Sequence, residues 1–115
     1  MPDLSDLQKR VVDFRDARDW KQFHRMKDLA IGLMLEASEF TEPFQWKSPE
    51  EITEYLRKKG DEVSEELADV LYWVLIAAHE LDINLADIFE KKMQKNEKKY
   101  PIDKVKGSHR KYTEL

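Results

Sequence analysis

Cysteine is absent from this chain, which removes disulfides, thiolate metal sites and cysteine nucleophiles. Glycine and proline are scarce, three and four in 115 residues, so few tight turns or irregular loops can be built. The longest apolar run, Leu67 to Ala78 (LADVLYWVLIAA), is too short to span a bilayer and carries an acid, Asp69, so no membrane partner is expected. Met1 leads directly into polar sequence without a signal-like stretch, and a cytoplasmic location is expected. Also missing are a phosphate-cradling P-loop, a G-x-G-x-x-G fingerprint and a serine-nucleophile motif. The three histidines, His24, His79 and His109, share no metal-ligand spacing.

What remains is 41% hydrophobic and 38% charged, the mixture of helices with an apolar stripe and a highly charged outer face. The length suits one domain over residues 1–115. The expected fold class is all-α, a bundle of four main helices plus a short one. Ser5 and Gln8 have capping-box spacing and open a helix to about Arg18, striped by Leu7, Val11 and Phe14. An aromatic-rich link over 19–25 leads to a second helix from about Lys27 to Thr41, with Leu29, Leu33, Ala37 and Phe40 inward. Ser48-Pro49-Glu50-Glu51 starts a short helix that should stop near Gly60. A long helix follows from about Asp61 to Leu81, and Asn84 caps a last one to about Lys99, before Pro101. The apolar stripe of the long helix (Val63, Leu67, Val70, Leu71, Val74, Leu75) is too wide for one partner helix, which predicts a homo-oligomer.

Four carboxylates carry the chemistry. Glu36 and Glu39, in EASE, and Glu66 and Asp69, in ELAD, are each spaced i, i+3, so each pair shares one helix face. Most such pairs are solvated helix surface. Asp69, however, is the one charge in an apolar run, and a desolvated carboxylate requires a partner, a proton or a metal. Two facing pairs would give an oxygen-rich site for a hard cation, Mg²⁺ or Mn²⁺, since zinc favours His and Cys and di-iron bundles use Glu-x-x-His.

Trp20 and Trp46 fall in connections, where an aromatic serves either as a core plug or as a stacking surface for a nucleobase. His24 lies between Trp20 and the first acidic helix, and Trp73, four residues after Asp69, shares the acidic side of the long helix. Lys92, Asn96 and Lys99 share a face of the last helix at i, i+4, i+7, a pattern of ordinary solvation or of polyphosphate contact. Residues 91–111 hold nine Lys/Arg and two acids, whereas the whole chain carries −4. That basic stretch is either a solvated tail or the complement of a bound anion.

The acidic motif, with RDWKQFH (18–24), EASEFTEPFQWK (36–47), EELADVL (65–71), KMQKNEKKYP (92–101) and RKYTEL (110–115), resembles the MazG-like all-α nucleotide pyrophosphohydrolases, in particular their dCTP pyrophosphatase-like branch. The resemblance implies hydrolysis of a nucleoside triphosphate, dCTP first, to monophosphate and pyrophosphate. It implies Mg²⁺ on Glu36, Glu39, Glu66 and Asp69, a base enclosed by Trp20, His24, Trp46 and Trp73, and phosphates held by Lys92, Asn96 and Lys99. It implies attack by a metal-bound water with no residue assigned as general base, and assembly as a homotetramer. No nucleic-acid partner is implied. Two positions depart from the pattern: Val11 stands where animal dCTP enzymes carry His, and Leu35 where some relatives carry an acid. The competing expectation is a helical oligomer that binds nucleotides as a sensor without hydrolysing them.

Overall fold

The computed structural model describes all of residues 1–115. Every regular element is helical. Residues divide into two compact units, Met1–Asp82 and Ile83–Leu115.

In the first unit, α1 spans Leu4–Ala17, α2 Met26–Thr41 and α3 Pro49–Glu80. The cap of α1 lies two residues earlier than the sequence suggests. Asp3 accepts from the Asp6 amide and Asp6 accepts from the Asp3 amide, both at 2.9 Å. Carboxylates at both positions satisfy amides and also favour the positive end of the helix dipole. Gln8, released from capping, donates instead to the Leu75 carbonyl at 3.1 Å and ties α1 to α3. The start of α3 follows expectation: Ser48 and Glu51 cap one another reciprocally, and Pro49 takes the first helical position.

The break expected near Gly60 is a kink within one helix rather than a gap between two. Lys59 leaves helical geometry (φ −121°, ψ 17°), and the flanking residues resume it. Gly60, which favours the helix least after proline, follows directly. Ser64 donates its hydroxyl to the Gly60 carbonyl at 2.8 Å in the first turn after the kink.

The core is narrow. Leu29 of α2 and Val63, Leu75, Ile76 and Ala78 of α3 are buried, and α2 and α3 form the main helix pair. Complete burial of Leu29, Leu75 or Ile76 contributes about 1.5–3 kcal/mol each. Leu67 and Leu71, expected in the stripe, are exposed in the protomer at 54% and 38%, as are Ile31, Met34 and Leu35 on α2. The other buried anchor is ionic. Arg15 is 1% exposed and pairs with Glu80 at the end of α3 and, at 3.0 Å, with Asp16. Burial opposes its charge, but the hydrogen bonds to Glu80 and Asp16 more than offset this, and its pKa is raised.

In the second unit, α4 covers Leu85–Lys99 and opens with the expected Asn84 cap, whose side chain accepts from the Asp87 amide at 3.1 Å. After Pro101 comes a single helical turn, α5 (Ile102–Val105), and a 3₁₀ turn at Tyr112–Glu114. Order in this tail was not evident from periodicity. It rests on the Tyr112 ring, which meets Tyr100 edge-on at 6.1 Å and lies 4.8 Å from the Lys99 ammonium.

Candidate metal centre

Antiparallel pairing of α2 and α3 sets the register of the site. Leu29 and Ile76 are buried at one end of this pair. One turn along α2, Gly32 meets Trp73, and another turn along, Glu36 faces the acidic stretch of α3. Carboxylate oxygens of Glu36, Glu39 and Glu66 lie within 4.8 Å of one another. A groove of about 280 Å³, lined among others by Glu39, Glu42, Tyr55, Glu62 and Glu66, opens beside them.

These acids repel. Burial first, and then Glu39 and Asp69, push the Glu36 carboxyl above its ordinary value, while Trp73 pulls in the opposite direction. Glu66 is raised by burial and by the charges of Glu39 and Asp69. No lysine or arginine pairs with Glu36, Glu39, Glu66 or Asp69. One oxygen each of Glu36 and Glu66 is buried without a hydrogen-bond partner. Buried acceptors of this kind are normally satisfied, and a cation among them would satisfy both. The donor set, all carboxylate oxygen, fits Mg²⁺ or Mn²⁺.

Three of the four expected ligands therefore converge, and the fourth differs from its expected setting. Asp69 is exposed, not desolvated. Its charge still reaches Glu36 and Glu66, as their raised values show.

The aromatic residues form a connected path. Trp20 meets Phe14 edge-on at 5.7 Å, Phe14 meets Tyr72 at 6.0 Å, Tyr72 meets Trp73 at 5.5 Å, and Trp73 meets His24 at 5.6 Å. His24 is half-buried, with an unpartnered Nδ1, and burial followed by the Arg15 charge lowers its pKa. Trp46 stands apart at 92% exposure, on a left-handed backbone (φ 70°) between α2 and α3. It is no core plug within the protomer. Lys92, Asn96 and Lys99 do share one face of α4 in the second unit; both lysines are exposed and Asn96 is half-buried.

Two features escaped the sequence reading. The Arg15–Glu80 pair joins residues 65 apart, a separation that no local pattern reveals. Gly32 lies outside the stripes and motifs noted above, yet a mid-helix glycine, disfavoured by about 1 kcal/mol against alanine, is itself a sign of close packing.

The sequence model of the MazG-like family matches residues 31–115. dCTP pyrophosphatase 1 from Mus musculus is 35% identical over 116 aligned residues, covering 99% of this chain and 68% of that protein. dCTP pyrophosphatase 1 from Homo sapiens is 34% identical, with 99% and 68% covered. Among solved structures, a pyrophosphatase from Archaeoglobus fulgidus superposes with a TM-score of 0.79 at 39% identity, covering 85% of this chain and 92% of that one.

Proposed function

The chain belongs to the MazG-like family and is a nucleoside triphosphate pyrophosphohydrolase, and from this premise we propose that it converts a deoxynucleoside triphosphate, dCTP first, to the monophosphate and pyrophosphate with Mg²⁺ at its carboxylate cluster. The observation that carries the metal assignment is the pair of buried, unpartnered oxygens on Glu36 and Glu66 beside Glu39. The preference for dCTP rests on the relatives that act on it.

In this reading residues 1–115 act as one catalytic domain, as the family match across both compact units supports. Glu36, Glu39 and Glu66 hold the cation. Asp69, exposed and one turn further along α3, turns its carboxylate in as the fourth ligand. When bound, Mg²⁺ neutralises the triphosphate and lowers the pKa of an attacking water. Lys92, Asn96 and Lys99 hold the phosphates, and the two ammonium groups offset the charge that develops on the departing pyrophosphate. Trp20 and Trp46 supply stacking faces for the base, with His24 and Trp73 completing that side. The protein works as a homo-oligomer, a tetramer, and the exposed Leu67, Leu71, Ile31, Met34 and Leu35 on α2 and α3 support self-association.

A nucleotide panel assayed with and without Mg²⁺ tests this reading. dCTP should yield dCMP and pyrophosphate in equal amounts, only with the metal. Orthophosphate with a diphosphate product would overturn it, and tight nucleotide binding without turnover would favour a sensor.

A further inference from the structure

Gly32 sits in the middle of α2, where a side chain would be preferred. A β-carbon at this position would lie 2.7 Å from both Cε3 and Cζ3 of Trp73 and 2.9 Å from its Cδ2. The six-membered ring of the indole is therefore pressed against the bare backbone of α2, and no other residue fits beneath it. On its other contacts the ring is held by His24 at 5.6 Å and by Tyr72 at 5.5 Å. Trp73 is thus fixed on several sides, and one face of its benzo ring is closed to any ligand.

This seat lies one turn from the carboxylates on both helices. Gly32 and Glu36 are i, i+4 on α2, while Glu66, Asp69 and Trp73 follow one face of α3 at i, i+3, i+7. We propose that Trp73, seated in the Gly32 notch, is a positioning residue for the metal site: it fixes the spacing of α2 and α3 one turn from the carboxylates and so sets the distance of Glu36 from Glu66. The inference rests on the metal assignment above. It gives Trp73 a role in addition to base contact, and it gives Gly32 a role where none was evident.

Two substitutions separate these roles. Trp73→Phe leaves a smaller ring in the notch, and Gly32→Ala keeps the indole but fills its seat. Mn²⁺ binding to the nucleotide-free protein is measured by calorimetric titration. Circular dichroism and thermal melting establish that each variant is folded. Residues that orient metal ligands typically change metal affinity by about 10–100-fold. Both variants should stay helical and bind Mn²⁺ at least about tenfold more weakly. Wild-type Mn²⁺ affinity in folded Trp73→Phe would overturn the proposal. Should Gly32→Ala fail to fold, Trp73→Phe decides alone. Absence of Mn²⁺ binding in the wild type would instead remove the metal assignment on which the proposal stands, so the two failures are distinct.

Discussion

Replacing Glu36 by glutamine should stabilise the metal-free protein and abolish its response to Mg²⁺. Glu36 carries a buried oxygen without a partner and faces Glu39 and Glu66 within 4.8 Å. The amide is of the same shape, carries no charge, and offers an N–H₂ to a neighbouring carboxylate. In chelator the variant should therefore melt above the wild type. With Mg²⁺ the order should reverse. A cation held only by the folded state at about a hundredfold its Kd contributes about 2.7 kcal/mol. For a chain of this length that is an upward shift of about 10 °C in Tm. The wild type should show this shift and Glu36→Gln should not. The pH dependence follows from the same repulsion. Burial, and then Glu39 and Asp69, raise the folded-state pKa of Glu36, and burial with the same neighbours raises that of Glu66. Protons thus bind the folded state more tightly than the unfolded one. The corresponding stability is fully present below the ordinary carboxylate value of 4.5 and is lost as pH rises through the higher folded values. Metal-free wild type should lose stability over that interval, and Glu36→Gln should lose less. Scanning calorimetry in chelator and in Mg²⁺ across this range is the assay. A variant that melts below wild type in chelator, or that keeps the Mg²⁺ shift, would refute the reasoning.

Arg15→Ala should destabilise the protein by about 3 kcal/mol in urea unfolding, the lower end for breaking a buried pair, because Glu80 is partly exposed and solvent reaches it; an unchanged midpoint would show that the pair contributes nothing. Trp46→Ala should raise KM by roughly ten- to a hundredfold with kcat little changed, since one stacked base is worth on the order of 1–3 kcal/mol; steady-state kinetics showing neither a KM change nor an altered ranking of bases would remove Trp46 from the base site. Light scattering at micromolar concentration should give the mass of an oligomer, and Leu67→Lys with Leu71→Lys should lower it; a wild-type monomer would contradict the assembly.

Signals contained within one helical turn are legible in the sequence, whereas most contacts between distant segments are not. Ser48 with Glu51, Pro49, and Asn84 located two helix starts because a cap and its target amide lie within one turn. The cap at Ser5 was misplaced because Asp3 and Asp6 offer the same geometry with charge added. Glycine at 60 marked a break, but not that helix would resume at once on both sides of Lys59. The i, i+3 spacing brought out Glu36, Glu39 and Glu66, whose meeting across α2 and α3 follows from one shared face each. The exposure of Asp69 is not legible in an apolar run, because a helix leaves part of such a run to solvent unless a second partner covers it. The notch at Gly32 required knowing that Trp73 lies opposite it.

The left-handed backbone at Trp46 has an implication for sequence change over time. A non-glycine residue held at φ 70° is strained by roughly 1–2 kcal/mol, and a ring 92% exposed offers almost no packing within the protomer in return. Fold and function thus ask for different residues at one position: glycine or asparagine would relax the backbone, and only an aromatic can stack. Libraries at position 46 selected for heat resistance alone should drift toward those small residues, while libraries selected for turnover should retain tryptophan. The two outcomes would separate what this connection does for the protomer from what it does for the substrate.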